Sequence, residues 1–329
     1  MSDLAQSLAA QPAPAPTRRS LLACCAALAL PGCSALPAQP TLEAAPPVAL
    51  PGTRQIDLAA GPDGPLHRIM LAVPPGPPPA GGYPVLYVLD GNLLFATAAQ
   101  LVRNRFARGP SVPAQGPVVV GLGYAGEQVL DLEARSRDYT PPAPGPQTDE
   151  RGRPEGGADA FLDFVECTVR PLVARHLPLN ASQQTLFGHS YGGLCVLHAL
   201  FTRPGGFQNY VAASPSLWWR DGFVLQEMAQ FLATRSAAGS AAAAQLTHVL
   251  VTQGEREALV PAAVSADPAR AAIARERRSN DRIDALLSGL RGAPGVDLRF
   301  VRFPDADHGS AMLPALQQAI ALSLQHSQT

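Results

Sequence analysis

Thr185-Leu186-Phe187-Gly188-His189-Ser190-Tyr191-Gly192-Gly193-Leu194 is the stretch on which the reading of the fold turns. A short apolar strand segment runs into Gly-x-Ser-x-Gly, and an apolar helix follows at once. At such a strand-to-helix turn the serine takes a strained backbone, and crowding demands side-chain-free neighbours two residues before and two after. The turn lifts the hydroxyl above the sheet edge at a helix N-terminus, where the dipole favours developing negative charge. A bare match arises by chance in a glycine-rich chain, so the flanking strand and helix carry the inference.

Outward from this turn the pattern alternates. Leu66–Val73, Tyr83–Leu89 and Pro117–Gly123 read as strands before it; Gln184–Phe187 leads into it; Tyr210–Ala213, His248–Thr252 and Val296–Phe303 follow. Unbroken Val/Leu runs such as PVVVGLG mean burial on both faces, the mark of a parallel sheet. Helical spacing covers Ala158–His176, Gly192–Phe201, Phe223–Thr234, Pro268–Leu290 and Leu313–Leu324. Thr140–Gly157, rich in Pro and Gly, reads as a surface loop or lid of low order. The expected fold is therefore α/β: one doubly wound, mostly parallel sheet with helices on both faces, spanning residues 53–329.

Composition narrows the function. The chain has 329 residues, 47% of them hydrophobic, with 25 basic against 26 acidic side chains. That balance argues against nucleic acid or a membrane surface as partner. All 25 basic residues are arginine, which removes lysine Schiff bases, Ser–Lys dyads and a P-loop lysine. Thr17-Arg18-Arg19-Ser20 opens an apolar run to Leu30, about half of what a bilayer needs. Residues 1–32 thus read as a signal peptide of twin-arginine type, Leu30-Pro31-Gly32-Cys33 as a lipoprotein cleavage box, and 33–52 as a Pro/Ala-rich tether. The expected location is periplasmic, with a lipid anchor at Cys33. Of the other cysteines, Cys167 and Cys195 read as small apolar residues on buried helix faces.

A serine nucleophile needs a base held by an acid, downstream in the order Ser, acid, His. His308, in Asp305-Ala306-Asp307-His308-Gly309, lies in a loop just after the last strand, where the base belongs. After strand His248–Thr252 the chain reads Gln253-Gly254-Glu255-Arg256-Glu257; Glu257 is favoured as acid, with Glu255 and a Ser–His dyad as alternatives. The oxyanion calls for two main-chain donors: Tyr191, directly after the nucleophile, and Asn92 or Gly91 after strand Tyr83–Leu89. Asp90 reads as a strand-end turn residue. Trp218 and Trp219, the only tryptophans, form an aromatic wall for a flat acyl group or fill the core. Arg135, Arg137 and Arg220 are candidates to face an anionic ligand, Arg137 foremost. No metal-ligand spacing occurs.

YPVLYVLDGNLLF, GHSYGGL, ASPSLWW and the late HGS together resemble the putative-esterase family of α/β-hydrolases, and RSRDYTP resembles its bacterial siderophore esterases. The resemblance spans about Leu66 to Ser310. It implies an α/β-hydrolase fold, Ser190 as nucleophile, His308 as base, and Tyr191 and Asn92 as oxyanion donors. Family members commonly carry aspartate as the acid, where this chain has glutamates. The expected partner is a small-molecule ester, a ferric siderophore among the candidates, and no cofactor is expected. The rivals are a carboxylesterase, thioesterase or acyltransferase with the same machinery, and a non-catalytic periplasmic binding lipoprotein.

Overall fold

Strand β5 (Leu179–His189) is the axis of the molecule, and the serine follows its last residue. The computed structural model describes residues 45–62, 64–106, 115–239, 246–258 and 280–325. The signal peptide, Cys33 and the tether as far as residue 44 lie outside the described residues.

Around β5 stand β1 (Thr53–Ala59), β2 (Leu66–Ala72), β3 (Tyr83–Val88), β4 (Val118–Tyr124), β6 (Asn209–Ala213), β7 (Thr247–Gly254) and β8 (Val296–Phe303). The order across the sheet is β1-β2-β4-β3-β5-β6-β7-β8. From β4 to β8 every pairing is parallel, whereas β1/β2 and β2/β4 are antiparallel. All six β3 and all seven β4 residues are buried, as their unbroken apolar runs require. The pleat then sorts them by parity. Tyr83, Val85 and Tyr87 face one layer, Leu86 and Val88 the other.

The first layer holds α2 (Leu132–Tyr139), α3 (Ala158–Phe164), α4 (Arg170–His176), α5 (Tyr191–Thr202), α6 (Phe223–Ala238) and α7 (Asn280–Leu290). The second holds α1 (Gly91–Phe106) and α8 (Met312–Leu322). Helix α5 is buried from Tyr191 to Phe201, so its apolar residues surround it instead of forming a stripe.

Strands β2 to β8 and the later helices stand where the periodicity set them, with ends shifted by a few residues; β5 grows to 11 residues by taking in Leu179–Gln183 before the expected Gln184–Phe187 and Gly188-His189 after it. Strand β1, largely exposed, and helices α1 and α2 had no counterpart in the sequence reading. A five-residue π turn, Val165–Val169, joins α3 to α4. It buries Val165 and Val169 and turns Cys167 outward, so the expectation of a buried Cys167 is corrected; Cys195 is buried. The wider π turn rotates the face out of the 3.6-residue phase on which that expectation rested. Of the helix expected over 268–290, residues 268–279 lie outside the described residues.

Candidate active site

Ser190 stands between β5 and α5 with φ 62° and ψ −116°, a left-handed conformation that an L-residue adopts only under constraint. Its N–H donates to Ala213 O of β6 at 2.9 Å, and its carbonyl accepts from Ser216 N at 3.1 Å. A Cβ on Gly188 would stand 2.3 Å from Gly192 O, so that glycine is obligatory. On the helix side the crowded position is Gly193, where a Cβ would meet Ala213 O at 2.9 Å; one on Gly192 would make only ordinary contact with Leu89 at 3.5 Å. The second glycine of the pentapeptide is therefore not the sterically demanding one. The hydroxyl of Ser190 lies 3.3 Å from that of Ser216.

Two loops at the carboxyl ends of β7 and β8 bring His308 and Glu257 together. His308 Nδ1 is 3.0 Å from Glu257 Oε2. The other oxygen, Oε1, accepts from Ser214 Oγ and from Gly254 N, each at 2.6 Å. Burial alone would raise the Glu257 carboxyl, but the hydrogen bonds from His308, Ser214 and Gly254 outweigh it and hold it below the usual range. Glu255 is exposed and accepts the N–H of Asp305 at 3.1 Å, bracing the loop instead of the imidazole. His189, the last residue of β5, lies with its Nε2 2.8 Å from the carbonyl oxygen of His308.

The corner after β3 is set by Asp90, at φ 52°. Arg135 donates to both its carboxylate oxygens, Nε at 2.9 Å and Nη2 at 3.0 Å, and the Asp90 N–H donates to Tyr139 Oη at 2.9 Å. The Arg135 guanidinium lies 5.5 Å from the centre of the Tyr191 ring. Burial disfavours that charge, but Asp90 more than restores it and the pKa rises. Asn92 sits in the first turn of α1. Its side-chain amide mimics a ladder rung on β4, accepting Tyr124 N at 2.8 Å and donating to Tyr124 O at 3.0 Å.

The tryptophans divide. Trp218 is half-buried with its ring 5.8 Å from that of Tyr191. Trp219 is 3% exposed and donates its indole N–H to Glu155 Oε1 at 2.8 Å, which makes it core. Glu155 also accepts from Arg220 Nη2 at 2.5 Å, and that nitrogen reaches Pro146 O at 2.6 Å. The segment 140–157 is thus an ordered roof, correcting the reading of low order: buried Glu155, Gly157 N on Arg137 O (2.8 Å) and a Thr148–Pro154 bridge fasten it. Its Pro/Gly composition hid these tertiary ties. Arg137 pairs bidentately with Asp138, at 2.6 and 3.1 Å. All three candidate arginines therefore hold carboxylates of the chain itself: Arg137 its neighbour in sequence, Arg135 and Arg220 residues 45 and 65 positions away, which spacing does not reveal.

A parallel-ordered α/β sheet with a strained serine at the end of its central strand, and a His–carboxylate pair on neighbouring loops, defines an α/β-hydrolase. The family model described as "Putative esterase" matches residues 67–290. The siderophore enterobactin esterase of Emericella nidulans is 37% identical over 249 residues, 71% of this chain and 80% of that protein. The ferri-bacillibactin esterase BesA of Bacillus subtilis is 38% identical over 188 residues, 56% of this chain and 65% of that one. Among solved structures, siderophore hydrolase EstA from Aspergillus nidulans superposes with a TM-score of 0.72 at 33% identity, covering 84% of this chain and 96% of that one. The chain belongs to this esterase family and is an ester-hydrolysing enzyme.

Proposed function

We propose that the protein opens the ester bonds of a catecholate siderophore trilactone through a Ser190–His308–Glu257 acyl-enzyme mechanism. The observation that carries the mechanism is the 3.0 Å hydrogen bond between Glu257 and His308 Nδ1. With its proton held on Nδ1 by the carboxylate, the imidazole presents the lone pair of Nε2 to the Ser190 hydroxyl. Ser190 Oγ attacks the ester carbonyl as His308 takes its proton. The tetrahedral oxyanion is received by the main-chain N–H of Tyr191 and that of Asn92 or Gly91. His308 then protonates the leaving alkoxide, and a water deprotonated by the same ring clears the acyl-enzyme. No step calls on a cofactor.

The substrate class rests on the relatives, whose names specify enterobactin and ferri-bacillibactin, and on one side chain of the site. Trp218, half-buried against Tyr191, supplies an aromatic wall for a flat acyl arm, with Trp219 as the core behind it. Fluorophosphonate should label Ser190, and Ser190→Ala should abolish labelling and lower turnover by on the order of 10⁴-fold. A catecholate trilactone should be cleaved with a higher kcat/KM than short p-nitrophenyl esters; equal or lower efficiency would leave a simple carboxylesterase. Acyl transfer to an added alcohol or thiol at the expense of hydrolysis would favour an acyltransferase.

The address is proposed from sequence alone: export by Arg18-Arg19 and acylation at Cys33, giving a periplasmic lipoprotein in the service of iron acquisition. Intact mass of the mature chain tests it. An N-terminus other than Cys33, or one without acyl mass, refutes the anchor.

A further inference from the structure

His189 is the first variable residue of the pentapeptide, and the hydrolytic mechanism gives it no part. The residue is nonetheless buried, only 8% exposed, and its ring lies 4.7 Å, centre to centre, from the ring of His308. The contact between them is a specific one. Nε2 of His189 stands 2.8 Å from the main-chain carbonyl oxygen of His308, across 119 residues of sequence. A carbonyl oxygen only accepts, so the ring must carry its proton on Nε2 and leave Nδ1 bare.

Two hydrogen bonds reach residue 308 among the described residues. Glu257 takes the ring at Nδ1, and His189 takes the main chain. The remaining ties of the loop fall on its neighbours, among them Asp305 N on Glu255 Oε2, Arg256 N on Ala306 O, Asp307 N on Ser310 Oγ, and Ala311 N on Asp307 O. Glu257 orients the imidazole about its own axis but leaves open where the ring stands relative to the serine. His189 closes that gap, because it adjoins Ser190 in the chain and its backbone is pinned in register with Ala213 of β6.

We propose that His189 is a positioning residue, whose Nε2–H fastens the His308 loop to the strand that ends in the nucleophile and so sets the distance between base and serine. The ring suits the task electrostatically as well. Burial, and then the nearness of His308, lower its pKa to about 3, so it remains a neutral donor when His308 becomes charged during turnover. A group this rigid costs little entropy on the way to the transition state, while a displacement of the base by about 1 Å is expensive.

The inference rests on Ser190 and His308 being nucleophile and base, and its test separates the two failures. His189→Phe keeps a planar ring and removes the donor; His189→Gln can place an amide N–H near the former Nε2; His189→Asn is too short to reach. With p-nitrophenyl butyrate, His189→Phe should lower kcat by about tenfold or more, with KM within about twofold of the parent. Fluorophosphonate labelling of Ser190 should slow in parallel, and His189→Gln should recover most of the loss. Unchanged kcat in His189→Phe, or His189→Gln as impaired as the phenylalanine variant, overturns the proposal. If the phenylalanine variant does not fold, Asn against Gln decides, and equal turnover of those two overturns it. Failure of the parent enzyme to label at Ser190 would instead strike the mechanism beneath.

Discussion

Arg135 grips Asp90 with two parallel hydrogen bonds, and both side chains are at most a tenth exposed. Asp90 follows β3 in a left-handed conformation beside the elbow, and its Oδ2 lies 3.7 Å from where a Cβ of Gly192 would stand. The pair thus couples the corner after β3 to the serine turn, and Tyr139 completes it by accepting the Asp90 N–H. Removing Arg135 would leave a buried carboxylate without its counter-charge.

Arg135→Leu should therefore destabilise the fold by about 3 kcal/mol or more, whereas Arg135→Leu with Asp90→Asn should cost clearly less than the sum of the two single changes. Urea denaturation of the four proteins measures the coupling. Additive losses would mean that the pair does not act as a unit.

The two glutamates after β7 differ in what they touch. Glu257→Gln keeps the size but weakens the hold on His308 Nδ1, and turnover should fall by about 10² or more. Glu255→Gln alters only a brace on Asp305 N–H and should leave kcat within about twofold. Steady-state kinetics on one p-nitrophenyl ester suffice. A larger loss in Glu255→Gln reverses the assignment, and no loss in either points to a Ser–His dyad.

His198, buried in α5, lies between Glu227 Oε1 at 2.8 Å and Asp159 Oδ1 at 3.2 Å, so it ties α3, α5 and α6. Burial opposes its charge, but hydrogen bonds to the two carboxylates overcome this and lift its pKa from 6.5 to about 9. A raised folded-state pKa contributes stability that is complete below 6.5 and lost as pH rises through about 9. Melting temperature should accordingly fall between pH 7 and pH 10 more steeply in the parent than in His198→Leu. Parallel profiles would show that the ring is not charged in the folded state.

Steric demand at the elbow is uneven. Gly193→Ala places a Cβ 2.9 Å from Ala213 O and 3.0 Å from Pro215 Cα, both backbone atoms that cannot step aside. Gly192→Ala meets nothing closer than 3.5 Å. The first change should cost about 1–3 kcal/mol and most of the activity, and the second should be tolerated. Thermal melts and esterase assays on both variants read this out, and the reverse order would show that the elbow is built differently.

Trp218→Ala should weaken the handling of an aromatic acyl group several-fold, in keeping with about 1 kcal/mol per stacked ring, and leave acetate esters nearly unaffected. Trp219→Phe should act on stability instead, because it removes the indole donor to buried Glu155. Comparing kcat/KM for an aromatic and a short aliphatic ester separates the two. A selective loss in Trp219→Phe alone would exchange their roles.

Apolar runs, helical periodicity and a Gly-x-Ser-x-Gly flanked by strand and helix were enough to define β2 to β8 and the position of Ser190, but not the exposed edge strand β1. Each depends on neighbours within one or two turns of chain, and local sterics act at that range. The loop that carries His308 was placed for the same reason, since loop positions after successive parallel strands follow from strand order. What distinguishes Glu257 from Glu255 is the direction of two side chains in one turn, decided by Gly254 in that turn and by Ser214 and His308 from two other segments. Helix α1 escaped notice because Asp90 serves it through its main-chain oxygen and gives its side chain to Arg135. The same holds for the roof at 140–157, for Trp219 behind Trp218, and for the arginines: their partners are 45, 64 and 65 residues away where paired at long range. Buried charges and indoles must find hydrogen-bonding partners wherever the packed chain presents them, and only the tertiary structure brings those partners within 3 Å.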